Sequence, residues 1–180
     1  MYEIKNHIPK TGEFYDLTYL NTKSCLEKIN KRSVVYDYMS LLENKRIARD
    51  FIDEMFNKGN VENANRFVTP DFIYHARGED VIGVDKFKAC VATDHTTFRD
   101  IHFTYIDGIA EGKKVATTWI LEGIQQQEFR GIPATNKKFE TVGVIIFRFE
   151  DHLIKEGWSI VDGLTPAIEL GLVKTSFNPT

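Results

Sequence analysis

Few side chains here combine reactive chemistry with the surroundings that would make it useful, and Asp94 is the first of them. Val84, Phe87, Val91 and Phe98 recur around it at helical spacing, so a helix that buries those four turns this carboxylate toward an apolar interior. A carboxylate in such a place is costly unless paired, and desolvation brings such groups toward the basicity that a general base needs near neutral pH. The plainer alternative is a slightly rotated helix, with Asp94 opening a frayed, solvated last turn toward Asp100. Tyr74 and His75 sit on a short extended piece, Asp71–Ala76, where alternation lets one of them face inward but not both. Tyr74 could donate its phenol to a ligand carbonyl. His75 could act in acid–base chemistry, although a lone histidine with no carboxylate near it in sequence more often has a structural hydrogen bond.

Two strand faces add an apolar setting. Trp119, Leu121, Gly123 and Gln125 share one face by alternation, and Thr141, Gly143, Ile145 and Phe147 share one on the next strand. If both look inward, they outline a mostly apolar cavity with Gln125, Thr141 and Ser159 as sparse polar points, the usual character of a small-molecule site. The competing reading is that Trp119 and Phe147 simply fill the core. Other chemistries find little support. His95, His102 and His152 lack metal-ligand spacing, no Gly-rich phosphate loop occurs, and Ser159 has no nucleophile-elbow context. No metal or cofactor is expected.

The elements that must position these residues follow from pattern. The 180 residues suit one domain, 42% hydrophobic and 27% charged. A net charge of −3 gives no electrostatic footprint for nucleic acid or an anionic membrane. No apolar run approaches a membrane span, and the N-terminus lacks the apolar centre of a secretory signal. Cys25 and Cys90 are too few and too distant for a disulfide framework. A cytoplasmic setting is expected.

Residues 1–39 are rich in aromatics and read as an extension packed on the domain or on a second subunit, with Thr22–Lys31 as a short helix. Ser40-Leu41-Leu42-Glu43 has capping-box spacing ahead of the helical row Ile47, Ala48, Phe51, Ile52, Met55 and Phe56, and Gly59 is placed to end that helix. Asn60 can cap a second, shorter helix stopped by Pro70. Strands are expected at Ile101–Ile109, Val115–Gln127, Phe139–Phe149 and Leu153–Asp162, and Thr165-Pro166 begins a last short helix. Helices followed by a run of antiparallel strands is an α+β plan. The domain is expected over 40–175, with a tail at 176–180.

The order and wording of these pieces resemble a known group. ENKRIARDFIDEMFNKGN, FVTPDFIYH, GIAEGKKVATTWILEG, EFRGIPATNKK and IIFRFEDHLIKEGW are similar to the SnoaL-like polyketide cyclases, or ester cyclases, of the nuclear-transport-factor-two-like superfamily. The resemblance covers about Glu43 to Val173, and EFxGIPAT and FRFEDxxIxExW are its most specific parts. It implies a cone-shaped α+β barrel, a strongly curved sheet wrapped around helices with an apolar cavity between, and a homodimer formed through the outer sheet face. It also implies cofactor-free aldol-type cyclisation driven by a cavity carboxylate. That carboxylate falls here on Ser159, the supporting His of the preceding strand on Ile145, and the His of a related GTHxGEF motif on Gln125, so three titratable positions are replaced. His75 matches a His that recurs in relatives at the cavity mouth, and Asp94 stands where they usually carry a leucine-like residue.

Two functions follow. One is a cofactor-free proton-transfer enzyme (cyclase, isomerase or hydratase) for a hydrophobic carbonyl compound, with Asp94 as base, His75 assisting, and Tyr74, Trp119, Gln125, Thr141, Ile145 and Ser159 around the ligand. The other is a non-catalytic dimeric module that binds a small apolar ligand or a partner protein.

Overall fold

The computed structural model describes residues 31–76 and 78–173. The expected helix before Lys31 and the packing of the N-terminal aromatic rings lie outside these residues. The chain divides into two compact units, Met1–Tyr36 and Asp37–Thr180; the second carries the elements below, apart from the start of its first helix.

Helix α1 spans Lys31–Ile52, so Ser40 and Glu43 are interior residues rather than a capping box. Lys31 to Met39 holds no Gly or Pro to interrupt a helix, and Glu43 instead pairs with Arg46 at 2.7 Å. The last turn of this helical run widens into a π-turn over Asp53–Asn57, which buries Met55 and Phe56. Gly59, at φ +64°, reverses the chain, with the His95 ring 3.3 Å from where a Cβ would stand. A 3-10 helix follows at Val61–Arg66; the Asn60 side chain does not cap it but donates to Glu54.

Strand β1 (Val68–Ala76) turns back into β2 (Glu79–Ile82), a strand absent from the sequence reading. Helix α2 (Val84–Thr97) leads into β3 (Phe98–Glu111), β4 (Lys114–Gln125), β5 (Lys138–Glu150) and β6 (Leu153–Val161). A short α3 (Leu164–Glu169) closes the described chain. The six strands form one curved, unclosed sheet in the order β2-β1-β6-β5-β4-β3. All neighbours are antiparallel except β1 and β6, which run parallel. The expected meander is therefore extended at one edge by a parallel strand read beforehand only as an extended piece. Register breaks at Arg99/His102 and Tyr105/Asp107 in β3, and at Arg148/Phe149 between β5 and β6, interrupt the ladders, and such breaks increase local twist and bend.

The concave face meets the helices in an aromatic cluster centred on Phe51. Its ring stacks on Phe87 at 5.5 Å and meets Phe72 and Phe147 edge-on at 6.2 and 5.6 Å, geometries that add to simple burial. Further along the same strands Trp119 faces Gly143 across the β4–β5 ladder. A Cβ on Gly143 would lie 2.3 Å from the Trp119 ring and 2.7 Å from the Ile160 carbonyl, so the indole lies flat there only because the position is glycine.

Two outcomes test this frame. Gly143→Ala forces the indole or the strand to move and is expected to cost about 1–3 kcal/mol by urea unfolding; an unchanged midpoint would contradict the close approach. Glu54 accepts from Lys58, Asn63 and Asn60, which pull its carboxyl down to about 2. A depressed folded-state value gives stability that is present above the ordinary 4.5 and lost as pH falls toward about 2. Glu54→Gln should flatten the dependence of Tm on pH in that window, and a slope equal to wild type would show that the cluster contributes nothing.

Candidate functional site

Beyond the Trp119–Gly143 contact the concave face is not filled, and a cavity of about 540 Å³ lies there. The alternation along the strands draws its boundary. Val115, Ile145, Phe147 and Phe149 are fully or almost fully buried in the core, whereas Trp119, Leu121, Phe139 and Thr141, nearer the other ends of β4 and β5, line the cavity. Both sequence readings of this face hold, each over its own part. Phe147 fills the core; Trp119 belongs to the core and also lines the void.

Asp94 reaches the cavity as the alternation of α2 requires. Phe87, Val91 and Asp94 form the buried row of that helix, Asp94 is only 9% exposed, and all three line the space. The last turn is therefore not solvated at this residue. Tyr74 lines the cavity from β1, with its ring 5.3 Å from Phe87. By alternation His75 points the other way: it does not line the cavity, stacks on Trp158 at 5.1 Å, and its Nδ1 lies 2.7 Å from Asp80. The expected catalytic place for His75 is thus corrected, as is the statement that it lacks a carboxylate. The β1–β2 hairpin brings Asp80 directly across from it.

Two expected ligand contacts are corrected as well. Gln125 is buried but does not line the cavity. Its Nε2 donates to the carbonyls of Gln127, Ile132 and Pro133, each at 3.2 Å, and its Oε1 accepts from Thr135 at 3.0 Å. One amide thus uses both its donor and acceptor ends to hold the loop between β4 and β5. Ile145 is fully buried in the core, and its carbonyl accepts from Thr117. Thr141 and Ser159 both line the cavity, but the Thr141 hydroxyl donates to the Asp162 carbonyl at 2.5 Å. The Trp119 Nε1 is buried with no hydrogen-bond partner among the described residues, an expensive state for an indole donor.

A second carboxylate, Asp162, also lines the space. It accepts from the Thr165 hydroxyl and from the amides of Thr165 and Leu164, which hold its carboxyl below the usual carboxylate range. It caps the start of α3 and stays a poor proton acceptor. Pro166, Ala167 and Leu170 of and just after that helix contribute apolar lining.

Sequence reasoning missed Phe129, Arg130 and Ile132, which line the cavity from the loop held by Gln125. Phe129 and Ile132 exchange both backbone hydrogen bonds at 2.9 Å, with Arg130 and Gly131 at the tip in left-handed conformation, φ 54° and 80°. The Arg-Gly pair inside EFRGIPAT was the available signal for a tight turn. Among the described residues, no group of three or more His, Cys, Asp or Glu side chains is placed to hold a metal, and no helix is long and apolar enough to cross a membrane.

With this geometry in hand, the chain matches the family model of SnoaL-like polyketide cyclases over residues 46–170. IdmH from Streptomyces antibioticus, a candidate polyketide cyclase, is similar at 28% identity and a TM-score of 0.57, covering 67% of this chain and 93% of that one. TsrD from Streptomyces laurentii aligns with a TM-score of 0.64 at 22% identity, covering 72% and 98%. AclR from Streptomyces galilaeus, a candidate hydroxylase, aligns with a TM-score of 0.65 at 19% identity, covering 74% and 99%. The last two likenesses speak for the fold alone. No curated protein matches the chain. The match over most of the chain, on a curved sheet that faces a mostly apolar cavity, makes this protein a member of the SnoaL-like polyketide cyclase family.

Proposed function

We propose that the protein is a cofactor-free proton-transfer enzyme acting on a hydrophobic carbonyl compound, with Asp94 as the general base. The observation that carries this reading is the placement of a nearly buried carboxylate on the wall of a mostly apolar cavity. A base must sit within hydrogen-bond reach of a bound carbon acid and be kept from water, and the buried row of α2 supplies that position. The enolate formed when Asp94 takes the proton needs donors. Tyr74, Ser159 and the indole N–H of Trp119 belong to lining residues that could supply them. Ring closure, double-bond migration or hydration would all begin with this step. His75 and Gln125 have no part in it.

The second reading, a binding module without turnover, draws on Ser159. It occupies the position where the cyclases carry their carboxylate, and a hydroxyl of ordinary acidity cannot replace such a base. Under this reading Asp94 serves only to orient the ligand.

Exchange of the α-protons of a benzo-fused ketone such as 2-tetralone in D2O, followed by NMR, separates the two. The wild type is expected to exceed the buffer rate, and Asp94→Asn, folded normally by circular dichroism, is expected to lose about 100-fold or more of that acceleration. A wild type no faster than buffer, or an Asn variant as fast as wild type, would remove the enzyme reading.

We also propose a homodimer through the convex sheet face. Val142 and Ile160 are 50% and 64% exposed there, and Ile120 and Val144 adjoin them across the ladders. Contiguous apolar surface of this kind marks association sites. Light scattering should give a dimer for the wild type and a monomer for Ile160→Glu; a monomeric wild type would defeat the proposal.

A further inference from the structure

The wall that α3 adds to the cavity is built unlike the others. Pro166 and Ala167, with Leu170 just after the helix, line the space, yet no residue of the helix is buried. Leu164 and Ile168 are 59% and 38% exposed. So short a helix does not hold its shape alone in water and depends on what it packs against. Helix α2 buries Phe87 and Val91, whereas the apolar lining residues of α3 meet open volume. In the ligand-free chain α3 therefore gains little from burial.

Two sets of hydrogen bonds hold it. The first keeps the segment intact and rooted. The Asp162 carboxylate accepts from the amides of Leu164 and Thr165 and from the Thr165 hydroxyl. Gly171 ends the segment at φ 78°, and the Asp162 backbone is tied to β5 through Val142 and Thr141. The second set joins the far end to the start of β5, and both of its bonds are exposed. Lys137 Nζ donates to the Leu170 carbonyl at 3.3 Å, and the Glu140 amide donates to the Glu169 carboxylate at 3.0 Å. The ladder between β5 and β6 reaches only to Gly143 and Val161, so Glu169 stands in for a strand partner at Glu140.

Between root and far end lies Gly163, where nothing beyond its own chain neighbours comes within 4 Å of the place a Cβ would take. The Phe129–Ile132 turn, which also lines the cavity, is instead clamped by the Gln125 amide. A segment with few buried contacts and exposed hydrogen bonds opens at low cost.

We propose that α3 is a lid over the cavity. It swings as a unit about Asp162 and Gly163 to admit a ligand and then closes on it, with the two bonds to β5 as its latch. This goes beyond the proposed reaction and rests on the cavity being a ligand site. A bound apolar compound gives Pro166, Ala167 and Leu170 the contacts that the empty space withholds, so occupancy favours the closed position. Closure also keeps water from the bound compound.

The Glu140 amide reports the latch directly, because its proton is donated to the lid. In the ligand-free protein, hydrogen exchange resolved by NMR should be faster at this amide than at amides within the β4–β5 ladder. Saturation with prodan, a fluorescent neutral naphthyl ketone, should slow it about tenfold or more. Lys137→Met keeps the stem and removes the donor. In stopped-flow fluorescence it should raise the entry and exit rates of prodan alike, about two- to tenfold, with the urea midpoint unchanged. Exchange at Glu140 as slow as in the ladder without ligand, or exchange there unaltered by bound prodan, would make α3 a fixed wall. So would a Lys137→Met variant that speeds exit but not entry. Each of these outcomes overturns the lid and leaves the pocket reading standing, whereas failure of prodan to bind would overturn both.

Discussion

The packing of aromatic rings around Phe51 is the constraint on which the remaining structure depends. Phe51 brings α1, α2, β1 and β5 to one point by touching Phe87, Phe72 and Phe147. Once those rings fill one end of the concave face, the sheet cannot close down on its helices at the other. Trp119 marks the border: its ring lies over Gly143 and against Phe103 at 4.9 Å, and beyond it Leu121, Phe139 and Thr141 line open space. The cavity is therefore a consequence of where bulk is placed along strands of equal alternation. A void of this size lined by packed rings persists because filling it would require moving a backbone that the Phe51 cluster and the β4–β5 ladder hold.

Most polar groups near the void serve the frame. Gln125 fastens the loop, Thr141 secures the end of β6 through the Asp162 carbonyl, and the Asp162 carboxylate starts α3. Asn57 does the same for α1, accepting from the Phe103 amide and donating to its carbonyl at 2.7 and 3.0 Å. This satisfaction is what a low-dielectric interior demands, and it leaves few polar atoms on lining residues for a ligand. The site takes its character from Asp94 on the helix side, Arg130 on the turn, and an indole donor with no hydrogen-bond partner among the described residues.

Several features were legible beforehand for identifiable reasons. The row Val84, Phe87, Val91 and Asp94 has a period only a helix can use, so an inward Asp94 was one of two readings the spacing allowed, beside a solvated last turn. Alternation likewise limited Tyr74 and His75 to opposite faces, though not which face each took. What failed did so where distant chain segments decide. Ser40 to Glu43 has the letters of a helix start, but the upstream residues continue the helix. Ile145 shares a face with Thr141, yet the Phe51 cluster reaches that part of β5 and places Ile145 in solid core. His75 lacked an evident partner until the β1–β2 hairpin set Asp80 opposite it.

Sequence by itself determined the α+β class and the four long strands, and set out candidate inward faces on two of them, because hydrophobic period and turn chemistry are local and repeat many times over. The family resemblance rested on the same runs. Only the tertiary structure decided how far along each strand the core extends, that Gln125 holds a loop instead of a ligand, and that Arg130 reaches the cavity wall. Those outcomes depend on which side chains from separate elements arrive at the same place, and no local pattern encodes a distance between residues that meet only after folding.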